Sequence, residues 1–108
     1  MSHIPEYLNE VGQGWHPILL DLHAQIVAVC PDYVVGQVKE KFGGLRVYLD
    51  HRNAEQIGYP KQVWDAIHTA EALSMRICED CGAAGTIGPR RPGGVWVKAL
   101  CDGCRKGA

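Results

Sequence analysis

An α+β fold is predicted for this chain: a helix–β-hairpin–helix core followed by a C-terminal four-cysteine zinc ribbon. Three features predict it. Segments 15–30 and 60–76 place apolar residues at helical spacing. The stretch QVKEKFGGLRVYLD, residues 37–50, alternates apolar and polar residues on either side of Gly43-Gly44. Residues 78–104 carry the spacing Cys-x2-Cys-x19-Cys-x2-Cys.

The elements follow in order. Residues 1–13 read as irregular chain or a short helical turn. The first helix, 15–30, carries Trp15, Ile18, Leu19, Leu22, Ile26 and Val29 on one stripe. Pro17 suits its first turn, where a missing N–H costs nothing, and Pro31 stops it. His23 sits at the stripe's edge and reads as a packing residue. A two-residue Gly43-Gly44 loop then pairs Phe42 with Leu45, Lys41 with Arg46, Glu40 with Val47, Lys39 with Tyr48 and Val38 with Leu49. One hairpin face holds Val38, Phe42, Leu45, Val47 and Leu49, with Glu40 as its misfit. The opposite face holds Gln37, Lys39, Lys41, Arg46 and Tyr48. Lys41 opposite Arg46 is a like-charge pair, slightly unfavourable for the sheet alone. Exposed lysines also deter edge-to-edge pairing, so this face reads equally as solubility or as contact surface.

Residues 51–59 read as a loop. Pro60 opens the second helix, which runs to about Arg76 with Val63, Ala66, Ile67, Ala70, Leu73 and Ile77 on one side. It leads straight into Cys78 with no linker of Pro, Ser or Gly. The chain is therefore read as one domain over residues 1–108, with the core at 14–77 and the ribbon at 78–108. Its 108 residues allow only a small core, which a metal or an oligomer contact would help to stabilise.

Cys78, Cys81, Cys101 and Cys104 form the ribbon quartet. Two thiolates three positions apart grip one side of a tetrahedral ion, and a second pair closes it. Gly82 follows the first pair, where a tight knuckle needs positive φ. The intervening Gly/Pro-rich half reads as a loop and the alternating half as a strand delivering Cys101. A thioredoxin-like site needs one Cys-x-x-Cys beside a βαβ unit, and here there are two pairs and no such order. Disulfides need an oxidising compartment that nothing in the sequence indicates. Iron with four thiolates fits the spacing as well as zinc does. A donor set of four cysteines leaves no position for water, which marks a structural site. Cys30 ends an apolar run and reads as a buried small hydrophobe rather than a reactive thiol.

The formal net charge is −1, divided as −4 over residues 1–75 and +3 over residues 76–108. Four thiolates on one Zn²⁺ carry −2, which lowers the tail to about +1 and weakens a nucleic-acid reading of its basic residues. Lys98, Arg105 and Arg76 read as balancing that charge. The N-terminus MSHIPEYLNE has acids and a proline where a signal peptide needs an apolar run, and no stretch is long enough to span a membrane. A cytoplasmic protein is expected.

The histidines, His3, His16, His23, His51 and His68, show no metal or triad spacing. Asp50-His51-Arg52-Asn53 at a strand end loosely resembles the Asp-His of HNH-like, zinc-stapled ββα nucleases. In that family the second cysteine pair leads to a histidine, and CDGCRKGA has none. No enzymatic activity is expected, and His51 reads as an ordinary turn residue.

The segments GWHPILLDLH, PDYVVGQVKEKFGGLRVY, AEALSMRICEDCGAAG and WVKALCDGC together resemble a family of small bacteriophage and prophage zinc-ribbon proteins. The likeness covers nearly all of residues 12–104. It supplies no catalytic residue. It implies an accessory protein in a bacterial host cell that binds host machinery, inhibition of host defence among the roles. On this reading the partner is a host protein or a nucleoprotein complex. The contact residues are Lys39, Lys41, Arg46 and Tyr48 on the hairpin, then Arg90, Arg91 and Trp96 in the loop GPRRPGGVW. Trp96 fits ribbon core equally well. The alternative is a nucleic-acid-binding transcriptional regulator in which the same basic residues meet phosphates. A homodimer is also permitted.

Overall fold

The computed structural model describes residues 2–50, 58–89, 94 and 96–106. Two 3₁₀ segments, Ile4–Glu10 and Gln13–Trp15, lead into helix α1, His16–Val29. An antiparallel hairpin follows, β1 Val34–Lys41 and β2 Gly44–Asp50, and then helix α2, Lys61–Ser74. The C-terminal part is a second hairpin, β3 Thr86–Pro89 and β4 Val97–Leu100, closed by the short helix α3, Asp102–Lys106. This is the expected α+β arrangement: a helix–hairpin–helix core with a small cysteine-bearing hairpin at the C-terminal end.

The core forms where the two helices and the inner face of the first hairpin meet. Leu19, Leu22 and Ile26 of α1 and Val63 and Ile67 of α2 are essentially inaccessible, as are Val38 and Leu45 of the hairpin. Each such side chain contributes about 1.5–3 kcal/mol of burial free energy. Trp15 precedes α1 rather than lying in it, is fully buried, and donates its indole N–H to the Ile77 carbonyl at 2.9 Å. Cys30 is buried within the same core. Ala99 of β4 also belongs to this cluster, so the second hairpin shares the core of the first.

Several expected positions move. Val29 and Leu73 were placed on packed stripes but are 43% and 46% exposed. Ser74 is buried instead of Leu73. Its hydroxyl accepts the Leu45 N–H at 2.9 Å and donates to the Glu71 carbonyl at 2.6 Å. A serine at the helix end thereby ties α2 to the hairpin edge. The segment 86–89, read as loop, is a strand paired with β4. His23 is a satisfied packing residue, as expected, its Nδ1 2.5 Å from the Tyr33 hydroxyl.

The first hairpin turns one residue earlier than expected. Lys41 pairs with Gly44, Glu40 with Leu45, Lys39 with Arg46 and Val38 with Val47, with a bulge between Val35 and Gln37. The loop is Phe42-Gly43, both at positive φ, +53° and +84°. Positive φ at both central positions is the primed geometry whose twist matches the flanking strands. Lys41 is therefore not opposite Arg46; Lys39 is. Phe42 is not on the packed face but at the tip, 74% exposed. Gly43 is buried against the second hairpin, where a β-carbon would lie 2.7 Å from Ile87 Cδ1. The φ of +84° is what calls for glycine at position 43, since the Ile87 methyl is a side-chain end that can move aside.

Candidate metal centre and the hairpin face

The four sulfurs of Cys78, Cys81, Cys101 and Cys104 lie within 4.8 Å of one another. Each arrives by a defined local device. Cys78 follows α2, and its N–H donates to the Ala83 carbonyl at 2.7 Å. Gly82, at φ +87°, returns its N–H to the Cys78 carbonyl at 2.9 Å, which closes the expected knuckle around Cys81. Cys101 follows β4, and its sulfur lies 3.4 Å from the Cys104 N–H in the first turn of α3. Cys81 Sγ and Cys101 Sγ are 3.6 Å apart. Metal–sulfur bonds of about 2.3 Å in a tetrahedron put sulfurs about 3.8 Å apart. The quartet has the size and donor type to hold one metal ion.

Its electrostatics favour the same conclusion. Burial pushes the Cys78 thiol up, but the backbone N–H groups of Cys101, Cys81 and Asp80 outweigh it and hold it at about 6. The Ala83 N–H draws Cys81 down, yet the neighbouring Cys101 and Cys78 sulfurs leave it raised. Cys104 is pushed well up by the sulfurs of Cys101, Cys78 and Cys81. One thiolate is welcome here and further ones repel it, a conflict that a divalent cation resolves.

Two of the three basic residues expected to balance the sulfurs, Arg105 and Lys98, have other partners. Arg105 donates to the carbonyls of Pro89 and Thr86, spanning the two ends of β3. Lys98 Nζ lies 3.0 Å from Glu40 Oε1 and 3.7 Å from Glu79 Oε1. Glu40, the apparent misfit of the hairpin's inner face, also accepts the Gly43 N–H at 2.7 Å. It therefore caps its own turn and receives the ribbon's lysine. Glu79, between the first two cysteines, accepts the Gly12 N–H through its carboxylate at 3.0 Å and the Gly14 N–H through its carbonyl at 2.7 Å. Gly14 packs so tightly there that a β-carbon would sit 2.1 Å from the Cys78 carbonyl oxygen. The cysteine knuckle is thus built against the segment before α1, a seam the sequence reading missed. The Gly-x-Gly at 12–14 was its one available signal.

On the outer face of the first hairpin, Lys39 Nζ stands 5.8 Å from the Tyr48 ring centroid and Lys41 Nζ 5.8 Å from that of Phe42. Among the described residues neither lysine pairs with an acid. Arg46 is only loosely held, 3.8 Å from Glu71. Trp96 is 78% exposed, so it is not ribbon core. Arg90 and Arg91 lie outside the described residues, as do His51, Arg52 and Asn53. Phe42, which the sequence reading placed inside, joins this surface: with Lys41, Glu40, Trp96 and Val97 it lines a groove of about 310 Å³. No helix among the described residues is long and apolar enough to cross a membrane. No family model matches the chain, and no curated protein or solved structure matches it.

Proposed function

We propose that this is a non-catalytic, zinc-stabilised binding protein of the phage-accessory kind, acting in the cytoplasm of a bacterial host. Its partner is a host protein or nucleoprotein complex, and inhibition of host defence is the role that setting favours. The observation that carries the binding reading is the hairpin's outer face. Two lysines without acidic partners each lie beside an aromatic ring there, leaving charge and apolar area available to an anionic partner. Zinc is favoured by four soft thiolate donors at tetrahedral spacing. The closed donor set gives the ion a folding role, because no coordination position remains for a substrate or water. When bound, the ion neutralises the thiolate repulsion and joins the end of α2 to β4 and α3.

Elemental analysis of the purified protein should give one zinc per chain. Capture from bacterial lysate, run with and without nuclease, should recover one defined partner with the wild-type chain in at least one arm and lose it with Lys39→Glu/Lys41→Glu. Equal recovery by both chains would remove the hairpin face from the proposal. Iron at one per chain would replace the zinc assignment.

A further inference from the structure

We propose that the groove between Phe42 and Trp96 takes an unpaired base of a single-stranded nucleic acid, with the strand's phosphates carried along Lys41, Lys39 and Arg46. This rests on the binding reading above and names the nucleic-acid component of a nucleoprotein partner.

The backbone of Phe42 lies in an unfavourable region. A bulky residue at φ +53° sits in the left-handed region, where asparagine or glycine sits easily and phenylalanine is strained. The fold gains little from it, because the side chain is 74% exposed. An asparagine would suit the turn better, since Asn-Gly is the favoured pair for this loop. Phe42 thus costs its own turn, and what it supplies is an exposed ring.

A second ring faces the same space. Trp96, arriving from the ribbon, is the most exposed large apolar side chain among the described residues, and it lines the groove with Phe42 and Val97. Among the described residues, the groove's acid, Glu40, is already tied to Lys98 and the Gly43 N–H, and Lys41 is a charge on its rim with no acidic partner. Lys39 lies two residues back on the same face, roughly 7 Å away by strand rise. It sits beside Tyr48 and opposite Arg46. Rings and cations thus alternate along one face towards the groove. Stacking platforms interleaved with cations suit single strands, whose bases are free to stack. A duplex hides its base faces and gains only the phosphate contacts. The overall negative charge keeps the interaction modest and short-ranged.

The test is fluorescence anisotropy of labelled 12-mers, oligo-dT, oligo-U and a mixed duplex, titrated with zinc-loaded protein from 50 to 300 mM salt. Single strands should bind at least tenfold better than the duplex. Three phosphate contacts give a slope of log K against log salt of about −2, which Lys39→Ala/Lys41→Ala should reduce to about −0.7. Phe42→Asn and Trp96→Ala should each weaken binding roughly tenfold or more. Phe42→Asn should do so while melting at the same temperature as wild type or above it, which separates lost contact from lost fold. The proposal is overturned if single strands fail to bind at 50 mM salt, or bind Phe42→Asn and Trp96→Ala as tightly as wild type. It is equally overturned if a glutamate- and phenylalanine-containing peptide binds in a Phe42-dependent way while oligonucleotides do not. A salt-resistant, nuclease-resistant protein captured through Lys39 and Lys41 in either failing case leaves the broader binding reading standing.

Discussion

Lys98 on β4 and Glu40 on β1 meet at 3.0 Å, and this contact joins the cysteine-bearing hairpin to the core hairpin. Both side chains are partly covered, 28% and 21% exposed, and Glu79 lies 3.7 Å from the same ammonium. Removing the lysine strands two carboxylates in a half-buried seam. Lys98→Met should therefore cost about 1–3 kcal/mol, less than a fully buried pair because solvent still screens this one. Glu40→Gln combined with Lys98→Met should recover part of the loss. A double-mutant cycle by urea denaturation should give a coupling of about 1 kcal/mol, and simple additivity would show that the contact does not bind the two parts together.

Withdrawing the metal should loosen more than the ribbon. Cys78 and Glu79 carry the backbone that receives Gly12 and Gly14, so the segment before α1 loses its support when the knuckle opens. A strong chelator, or Cys101→Ser, should lower the melting temperature and raise amide exchange both in β3–β4 and at Gly12–Trp15. Exchange confined to the ribbon would contradict the shared seam.

Metal affinity should rise with pH, with a break near pH 6. Cys81 and Cys104, both raised, stay protonated through neutral pH in the metal-free chain and release their protons when the ion binds. Cys78, held at about 6, is already a thiolate above that pH and gives up no proton. Below about 6 it too has to deprotonate, so the slope of log K against pH should steepen by one. Competition against a chelator of known affinity between about pH 5 and 8 measures it. In the metal-free fold the depressed Cys78 contributes stability above its ordinary value of 9.0 and loses it as pH falls towards 6.

Gly14→Ala should be among the most damaging small substitutions. The added carbon would lie 2.1 Å from the Cys78 carbonyl oxygen and 2.5 Å from the Gly82 nitrogen, both backbone atoms that no rotamer change moves aside. A loss of about 3 kcal/mol or more is expected, with weakened metal retention. Gly58→Ala, where an added carbon meets no described atom within 4 Å, serves as the control and should change little.

Tyr33 anchors the N-terminal segment. Its buried hydroxyl accepts the Ile4 N–H at 2.9 Å and lies 2.5 Å from His23 Nδ1, while His3 stacks on its ring at 4.4 Å. Tyr33→Phe leaves the Ile4 N–H without its acceptor and should cost about 1–3 kcal/mol. Burial raises the Tyr33 pKa above 10.0, so the unfolded chain ionises first and stability falls as pH climbs past 10. The alkaline fall attributable to Tyr33 should be absent from Tyr33→Phe when unfolding midpoints are compared between about pH 8 and 11.

By itself the sequence determined what depends on neighbours along the chain. Helical spacing placed both helices to within a few residues, alternation placed the first hairpin, and two Cys-x-x-Cys pairs at ligand spacing named all four members of the metal quartet. The tertiary structure decided which turn the hairpin uses. Moving a two-residue loop by one position shifts each cross-strand partner by two, and a shift of two preserves the faces. Alternation is therefore blind to the choice between Gly43-Gly44 and Phe42-Gly43. It was settled by contacts distant in sequence: Gly43 against Ile87, and Glu40 bridging its own turn to Lys98. The same contacts turned Phe42 outward and gave the misfit glutamate its partner. The Gly12–Gly14 seam escaped for the same reason, since the crowding that demands glycine there comes from Cys78 and Glu79, more than sixty residues along the chain.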